Sequence, residues 1–396
     1  MKIAVIVRRL NVKGGLQKLA LEFAHYLKQN NHDVTVYTFV SDLDQCFTEL
    51  MRDLKIVSLE TVNVWRVPFF SYINQLLLEA QLSKKLALQI DPHTEVLNPN
   101  GEAVFKVARY FKKRNRKIPS IWMMTDMVTK TASFERSSAV NSDLSISFFK
   151  KVLYKIFDTY EIKTFIPYID AIAVLGSREK VWVKNFFNKN AHQLPGGLDS
   201  TEFIFRKRVH PQGRVKLLTT GIFFPHRRFE DIIEAVSTLR KERVDVVLDI
   251  IGDTNSDKVY YEKIKNMIGR LELNNAVHLL GKVSFQTLLD KYQTSSIFVF
   301  ASHMQSWGLA VSEAQACGLP VIVSETSGAS EVLTDRKNAL IVPPKAPQAI
   351  VNAIRELTND QKLYESLSEA GRAFVEKNIS WDAYGKRMVE IINDFM

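Results

Sequence analysis

The chain has 396 residues, which is enough for two domains with cores of their own. A hydrophobic fraction of 46% and a charged fraction of 24% are ordinary for a soluble globular protein. The two cysteines, Cys46 and Cys317, provide neither a disulfide framework nor a metal-ligand cluster, so we expect a reducing, cytoplasmic location. The first apolar run is too short for a signal peptide and no run has the length of a membrane span, which predicts a protein that is not integral to a membrane.

The net charge of +10 is concentrated in the first half of the chain. Residues 1–200 contain 28 Lys and Arg against 19 Asp and Glu, whereas residues 201–396 contain 25 against 24. The densest basic stretch is Lys112–Lys117, which by itself is typical of a solvated surface. A bias confined to one half favours an anionic partner for that half: a lipid surface, a lipid diphosphate or a nucleic acid.

Strand-like and helical segments alternate along the first half, which predicts an α/β fold with a doubly wound parallel sheet. The turn-rich segment Leu194–Asp199 then interrupts the pattern, so we place one domain at residues 1–200 and a second from residue 201. The predicted elements of the first domain include strands Ile3–Val7, Asp33–Phe39, Ile121–Met124 and Ala171–Leu175 and the helix Leu16–Gln29.

The same alternation restarts in the second half and predicts a second parallel sheet. Two sheets that face each other across a cleft would bind substrates outside the carboxyl ends of their strands. The predicted strands are Val215–Thr219, Val246–Ile251, Val277–Leu280 and Ile297–Ala301, and the predicted helices are Phe229–Arg240, Lys258–Leu271 and Phe285–Thr294.

The first predicted strand leads into a loop, Arg8–Gly15, that ends in Gly14 and Gly15 at the start of a helix. Paired glycines allow the backbone to approach a ligand closely. A tight turn explains such a pair at least as often, so the residues alone leave both interpretations open.

The segment Phe148–Phe157 (FFKKVLYKIF) has the period of an amphipathic helix. Its apolar residues cover one half of a helical wheel and its lysines the other, which is compatible with a membrane interface. We favour the alternative that it packs on the first sheet, because a parallel sheet needs helices on both faces.

A basic cluster follows the first strand of the second half, in the segment Gly221–Glu230 (GIFFPHRRFE). His226, Arg227 and Arg228 stand at the predicted start of a helix, where cations are unfavourable in the field of the helix dipole unless something negative binds. The cluster therefore predicts an anion-binding site.

The segment Ala301–Ser324 (ASHMQSWGLAVSEAQACGLPVIVS) carries the strongest functional signal. A polar turn opens a short helix that carries Glu313, Gly318 ends the helix, and a buried parallel strand follows Pro320. A loop that delivers a helix N-terminus suits an anion such as a diphosphate. Glu313 lies about one turn inside, so its carboxylate can accept hydrogen bonds from hydroxyls of the molecule that carries the phosphate, as in a sugar nucleotide.

This segment resembles the E-x7-E signature of glycosyltransferase family 4, the retaining GT-B enzymes, in which a small-Gly-Leu-Pro-Val strand follows. Gln305 occupies the position of the first Glu, which faces the donor sugar in the family, and Glu313 that of the second, which holds the ribose. The resemblance implies two Rossmann-like domains. It also implies a final helix, residues 379–396, that crosses back to the N-terminal domain from a second domain ending at residue 378.

Other segments resemble family elements at matching places. Gly14, Gly15 and Gln17 match a loop that closes over the donor phosphate, and Arg227 stands where the family has a Lys that holds the diphosphate. Ser327–Val332 resembles a GG-x-x-E loop, in which Glu331 either contacts the donor or caps the next helix. The residues for which the resemblance implies donor binding are Gly14, Gly15, Gly221, Arg227, Arg228, Gln305, Ser306, Trp307, Gly308, Leu309 and Glu313.

Several positions depart from the family pattern, among them Ser327 in place of a glycine. Gln305 keeps hydrogen-bonding capacity but carries no negative charge. Ile222 replaces an Arg that contacts phosphate in the family, so Arg228 or His226 would have to supply that contact. Thr125 replaces the His of a His-Asp pair. Asp126, the other member of that pair, is a candidate acceptor contact, although an Asp after a strand is more often a turn residue. The catalytic candidates are thus Gln305, Arg227 and Asp126.

The resemblance implies transfer of a sugar, with retention, from a nucleoside-diphosphate-sugar to an acceptor hydroxyl. We expect neither a metal nor another cofactor, with Arg227 and a helix dipole stabilising the leaving diphosphate. The basic first half favours a glycan or lipid-linked acceptor at the inner face of an anionic membrane, in polysaccharide, lipopolysaccharide or glycolipid assembly. The alternatives are a sugar-nucleotide-binding protein of weak or no activity, an epimerase of the same fold, and a nucleic-acid-binding protein. We do not expect nucleic-acid binding, because the sequence has no aromatic recognition motif.

Overall fold

The computed structural model describes residues 1–59, 71–114, 118–125, 129, 148–303 and 305–396. These residues form two compact units. The first contains the described residues up to 197 and, from the end of the chain, residues 381–396, and the second contains residues 198–380. Asp126 and residues 115–117 of the basic stretch lie outside the described residues.

A parallel sheet of seven strands forms the centre of the first unit, in the order β3-β2-β1-β4-β5-β6-β7. Strand β1, in the interior of this sheet, is buried from Ile3 to Val7, the pattern of a parallel sheet that is covered on both faces. The strands are β1 (Lys2–Val7), β2 (Asp33–Thr38), β3 (Lys55–Ser58), β4 (Val96–Asn100), β5 (Ile121–Met124), β6 (Ala171–Val174) and β7 (Ala191–Gln193). The helices are α1 (Gly15–Gln29), α2 (Thr48–Arg52), α3 (Ser71–Gln89), α4 (Lys106–Lys112), α5 (Phe148–Phe165), α6 (Ser177–Phe187) and, from the end of the chain, α13 (Trp381–Asn393).

The second unit is built on a parallel sheet of six strands, in the order β10-β9-β8-β11-β12-β13. Both sheets confirm the prediction of a doubly wound parallel α/β architecture. The strands are β8 (Val215–Thr220), β9 (Val246–Ile251), β10 (Val277–Gly281), β11 (Ile297–Phe300), β12 (Val321–Ser324) and β13 (Leu340–Val342). The helices are α7 (Phe229–Lys241), α8 (Lys258–Arg270), α9 (Phe285–Thr294), α10 (Leu309–Ala316), α11 (Pro347–Asn359) and α12 (Gln361–Asn378).

The prediction that Phe148–Phe157 packs on the first sheet is wrong. Phe148 and Phe149 are 82% and 77% exposed, and the buried positions of α5 are Asp158 and Phe165, near its other end. Phe165 packs edge-on against Phe105, beside α4, so α5 is fixed through its C-terminal turns and its first turns remain on the surface. Among the helices of the described residues, none has the length and apolar content needed to cross a membrane.

Helix α13 packs on α1 within the first unit. The backbone of Gly385 lies against the ring of Tyr26, where a β-carbon would come within 2.2 Å of Cγ, and Tyr384 meets Phe23 edge-on at 5.9 Å between ring centroids. Just before the second unit begins, Gly197 lies against Trp381, where a β-carbon would come within 2.3 Å of the indole. These close contacts explain why glycine occupies both positions.

We expect Gly385→Ala to lower the free energy of unfolding by roughly 1–3 kcal/mol, because the added carbon has no room beside Tyr26. Gly269→Ala in α8 is the matched control, since no atom lies within 4 Å of its added carbon, and helix propensity alone should stabilise that variant by about 0.5–1 kcal/mol. Urea unfolding followed by circular dichroism measures both variants. Equal effects of the two substitutions would contradict the packing of α13 on α1.

Candidate functional site

The candidate site lies at the carboxyl ends of β8 and β11, where the strand order of the second sheet reverses. Strand β8 pairs with β9 on one side and with β11 on the other, so the connections that leave β8 and β11 diverge at this point. In doubly wound sheets, loops that follow two such strands form a crevice at the carboxyl edge of the sheet. Here the two loops are joined directly, because the N–H of His303 donates to the carbonyl oxygen of His226 at 2.7 Å.

The loop after β8 is fixed by close backbone contacts. The N–H of Gly221 donates to the carbonyl of Ile251, and that of Phe223 to the carbonyl of Asp253, at 2.8 and 3.1 Å. A β-carbon on Gly252 would lie 1.8 Å from the carbonyl oxygen of Gly221, so only glycine allows this approach. Phe223 is fully buried, and the loop then forms a short 3-10 helix, Pro225–Arg227, ahead of α7.

The half-buried side chain of Arg227 lies over the end of β11. Its Nη1 is 3.5 Å from Oγ of Ser302, and its guanidinium carbon is 5.8 Å from the centroid of the Phe300 ring. The guanidinium also passes close to the backbone of Gly221, where a β-carbon would lie 2.9 Å from Nε. Arg227 thus connects the two loops that carry most of the predicted site residues.

Arg228 is held by two carboxylates of α7. Its Nε donates to Oδ2 of Asp231 at 2.9 Å, its Nη2 donates to the other oxygen of that carboxylate, and its Nη1 donates to Oε1 of Glu230 at 3.0 Å. Burial raises the pKa of the Asp231 carboxyl, and the Arg228 guanidinium opposes that shift. The two carboxylates in the first turn of α7 therefore balance the charge of Arg228 within the protein.

The loop after β11 is held against the segment that follows β12. Gln305 and Ser327 form an isolated parallel bridge, and the N–H of Gly328 donates to the carbonyl of Gln305 at 2.8 Å. A β-carbon on Gly328 would lie 1.9 Å from the carbonyl oxygen of Ser306, so the glycine of this motif is a steric requirement. The backbone around Gln305 is consequently well fixed.

Ser327, which replaces a glycine of the family pattern, caps the short 3-10 helix Gly328–Val332. Its Oγ accepts from the N–H of Ala329 and donates to the carbonyl of Trp307, both at 3.3 Å. Glu331 is exposed inside this short helix. The alternative that Glu331 caps the next helix is therefore wrong.

The remaining residues of the turn, Ser306 to Gly308, lead directly into α10, of which Gly308 is the N-cap. Gly308 has a φ of 124°, a left-handed value that favours glycine, and a β-carbon there would lie 3.0 Å from the Phe300 ring. The side chain of Trp307 is buried, and its Nε1 has no hydrogen-bond partner among the described residues. Ser306 is also buried, whereas Gln305 and Leu309 are half-buried.

Glu313 receives a hydrogen bond that the sequence did not reveal. The hydroxyl of Tyr292, on α9, donates to Oε2 of Glu313 at 2.8 Å and lies 3.5 Å from Oγ1 of Thr220 at the end of β8. Burial raises the pKa of Tyr292 well above its ordinary value, and the Glu313 carboxylate raises it further. Tyr292 consequently keeps its proton and orients one oxygen of Glu313. Apolar periodicity identifies Tyr292 only as a core position, and no spacing rule connects it with Glu313.

The first unit carries the two predicted glycines at the carboxyl end of β1. Gly14 is the N-cap of α1 with extended backbone, and a β-carbon on it would lie 2.6 Å from Oε1 of Gln17. Gln17 is buried and its Nε2 donates to the carbonyl of Arg9 at 3.3 Å, while Gly15 has open space around it. Gln17 thus fixes this loop, which carries both predicted glycines.

The structure therefore brings Gly221, Arg227, Arg228, the turn at 305–309 and Glu313 together in the second unit. Gly14 and Gly15 stand in the first unit, and Asp126 lies outside the described residues. In the part of the chain that the structure describes, no group of three His, Cys, Asp or Glu side chains is arranged to hold a metal ion.

Residues 200–374 match the family model described as glycosyl transferases group 1. The chain is similar to D-inositol 3-phosphate glycosyltransferase of Streptomyces bingchenggensis, with 26% identity over 45% of this chain and 40% of the relative. It is also similar to a GDP-mannose-dependent monoacylated alpha-(1-6)-phosphatidylinositol monomannoside mannosyltransferase of Corynebacterium glutamicum, with 27% identity over 42% of this chain and 44% of the relative. The chain spans less than half the length of these curated relatives.

Among solved structures, Anabaena HepE in complex with UDP and glucose superimposes with a TM-score of 0.73 at 14% identity, and the match covers 99% of both chains. A likeness of this kind over the whole chain establishes the fold, which is GT-B. Residues 200–374, which lie within the second unit, are similar to the glycosyl transferases group 1 family.

Proposed function

We propose that the protein is a retaining glycosyltransferase of family 4 that moves a sugar from a nucleoside-diphosphate-sugar to an acceptor hydroxyl. The observation that carries this proposal is the convergence of Arg227, the turn at 305–309 and Glu313 at the crossover of the second sheet. Crevices of this kind bind nucleotides in doubly wound sheets. Anabaena HepE, which shares the fold, has been solved with UDP and with UDP-glucose bound.

Each group at the crossover suits one part of such a donor. The guanidinium of Arg227 suits a diphosphate because it presents planar, paired donors, and the start of α10 adds the positive end of a helix dipole. Glu313 suits the ribose hydroxyls, with Tyr292 holding one of its oxygens in place. Gln305 is assigned to the hydroxyls of the sugar, since its amide both donates and accepts.

The reaction needs no nucleophile from the protein. The bond between the anomeric carbon and the phosphate oxygen breaks, and the acceptor oxygen forms the new bond on the same face. The proton of the acceptor hydroxyl passes to the departing phosphate. We expect Arg227 and the start of α10 to stabilise the charge that develops on that phosphate, without a metal ion.

The acceptor is assigned to the first unit. Its basic excess favours a glycan or lipid-linked acceptor at the inner, anionic surface of a membrane. The mannosyltransferase relative from Corynebacterium glutamicum is named for a monoacylated phosphatidylinositol monomannoside, which supports a lipid-linked class of acceptor. We therefore propose a cytoplasmic enzyme of glycolipid, lipopolysaccharide or polysaccharide assembly that contacts the membrane peripherally.

A second candidate is a protein that binds a sugar nucleotide without turning it over. It is favoured by the amide of Gln305 in place of a carboxylate, together with Ile222 and Thr125 at two other departures from the family pattern. Because Gln305 is half-buried and its backbone is fixed by Gly328, a carboxylate introduced by Gln305→Glu would occupy a defined position.

A panel of UDP-, GDP- and ADP-sugars, tested without added metal, separates the two candidates. Thermal shift and nucleotide release are measured together, with membrane extract as the source of acceptor. For a glycosyltransferase we expect one donor to raise the melting temperature and to be consumed. Stabilisation without release, converted to release by Gln305→Glu, would instead establish the binding protein, and no stabilisation by any donor would contradict the site.

We expect Arg227→Ala to weaken nucleotide binding by roughly tenfold to a hundredfold, because it removes a charged hydrogen-bond donor from the diphosphate, with little change in stability. Arg228→Ala is the matched comparison. It leaves Asp231 buried without its partner, so its main effect should be a loss of about 2 kcal/mol in the free energy of unfolding. Calorimetric titration with UDP, GDP and ADP, together with urea unfolding, measures both effects, and a larger binding defect in Arg228→Ala would reverse the assignment.

Tyr292→Phe removes the hydroxyl that fixes Glu313 and leaves the buried ring in place. We expect nucleotide binding to weaken by roughly fivefold to thirtyfold, with the effect in KM and not in kcat. Tyr364→Phe is the matched control, since Tyr364 is also buried and its hydroxyl donates to the carbonyl of Ser296, just before β11 and so at the opposite edge of the sheet. If both variants bind nucleotide equally well, Glu313 does not depend on Tyr292.

A further inference from the structure

Helix α5 exposes a continuous apolar face. Beyond Phe148 and Phe149, the exposed side chains of Val152, Ile156 and Tyr160 follow at intervals of three and four residues, which places them on one side of the helix. Isolated apolar residues on a surface are ordinary, but a contiguous stripe of large ones marks a contact site.

The exposed charge on the same helix has a single sign. The structure describes α5 throughout, and its exposed charged residues are Lys150, Lys151, Lys155 and Lys163. Its two acidic residues point elsewhere: Asp158 is buried, and the carboxylate of Glu161 pairs with the buried Lys106. The outer surface of α5 therefore combines aromatic and aliphatic side chains with positive charge.

The apolar surface continues beside the helix into a cavity of about 370 Å³ between α3, α4 and α5. Leu76, Leu77 and Ala80 line the side of α3, and Ile156 and Tyr160 belong to both the cavity and the exposed face of α5. A mainly apolar recess next to an exposed apolar helix suits hydrocarbon chains better than a flat protein surface.

The helix is already folded and anchored, so contact with a partner needs no ordering of α5. Phe165 packs against Phe105 and Tyr110, with ring centroids 6.3 and 6.2 Å apart, and Lys106 joins Glu161 to Glu79. These contacts fix the C-terminal turns, whereas both phenylalanines of the first turn are exposed.

We propose that this face of α5 docks on an anionic lipid bilayer. Phe148, Phe149 and Ile156 enter the boundary between headgroups and acyl chains, and the lysines contact lipid phosphates. The charge is the deciding argument for this occupant, because the exposed charged residues of α5 itself are all lysines, which are complementary to an anionic surface. The inference rests on the proposed function in that it names the element through which the peripheral membrane contact is made.

Vesicle sedimentation of the full chain tests the proposal. We expect the protein to sediment with vesicles that contain phosphatidylglycerol and to bind phosphatidylcholine vesicles weakly. The apolar variant F148S/F149S/I156S should lose binding to anionic vesicles by roughly tenfold or more. Its control, V209S/V259S, changes exposed apolar residues of the second unit and should leave binding unchanged.

The charge is tested separately. K151E/K155E on α5 should also weaken binding to anionic vesicles by roughly tenfold or more. K258E/K265E reverses two exposed lysines on α8, so it makes the same change in net charge on a different helix. Equal losses in the two lysine variants would show an attraction to net charge alone and would overturn the assignment to α5.

A label at position 149 distinguishes a membrane from a second copy of the chain. Because Cys46 and Cys317 are buried, Phe149→Cys provides the exposed thiol for a polarity-sensitive dye. We expect a blue shift of its emission on adding anionic vesicles. A blue shift that follows protein concentration without vesicles, with a dimer in analytical ultracentrifugation, would overturn the proposal in favour of self-association.

Nucleotide binding in solution keeps this proposal apart from the proposed function. F148S/F149S/I156S should bind nucleotide as the unaltered chain does, because α5 belongs to the first unit and the crossover site to the second. If the unaltered chain binds nucleotide but neither type of vesicle, the docking proposal fails and the glycosyltransferase proposal stands. If it binds vesicles through α5 but no nucleotide, the glycosyltransferase proposal fails and the docking proposal stands.

Discussion

The candidate site depends on one constraint, the position of β8 between β9 and β11 in the second sheet. Because the chain leaves this strand pair in two directions, the loops after Thr220 and after Phe300 end at the same edge although about 80 residues separate them. The hydrogen bond between His303 and His226 and the backbone approach at Gly252 then fix the loops to each other and to β9. Arg227 and the turn at 305–309 share a site for this reason.

The two arginines at this edge have different surroundings, and this difference indicates which of them binds a ligand. Arg228 is neutralised by Glu230 and Asp231, so it stabilises the start of α7. Arg227 lies beside a hydroxyl and over an aromatic ring, and its guanidinium presents the planar, paired donors that suit a diphosphate. Glu313, in contrast, is oriented by a neutral tyrosine, which keeps a carboxylate suited to hydroxyl groups. The arrangement favours a ligand that carries phosphate and hydroxyls together.

Much of the fold followed from the sequence, because strands of a covered parallel sheet are short apolar runs between helices of regular period. The predicted β9 and α9 have the bounds that the structure gives, and β8 and α8 differ by one residue at one end. Three features did not follow. The contact of Tyr292 with Glu313 joins the helix that precedes β11 in the chain to the helix that follows it. The capping role of Ser327 depends on the approach of its loop to Trp307. The exposure of Phe148 depends on where α5 is anchored. Amphipathic periodicity shows that a helix has an apolar face but not whether the protein or another surface covers it. The roles of the donor-binding residues rest on the family resemblance and on this geometry.

Hydrogen–deuterium exchange of the chain with and without a nucleoside-diphosphate-sugar tests the central claim most directly, because it reports on each loop separately. The account predicts slower exchange on binding in two segments, residues 221–229 and 305–313, which the crossover of the second sheet brings together. Binding that leaves exchange in both segments unchanged would place the ligand elsewhere and would contradict the assignment of the site.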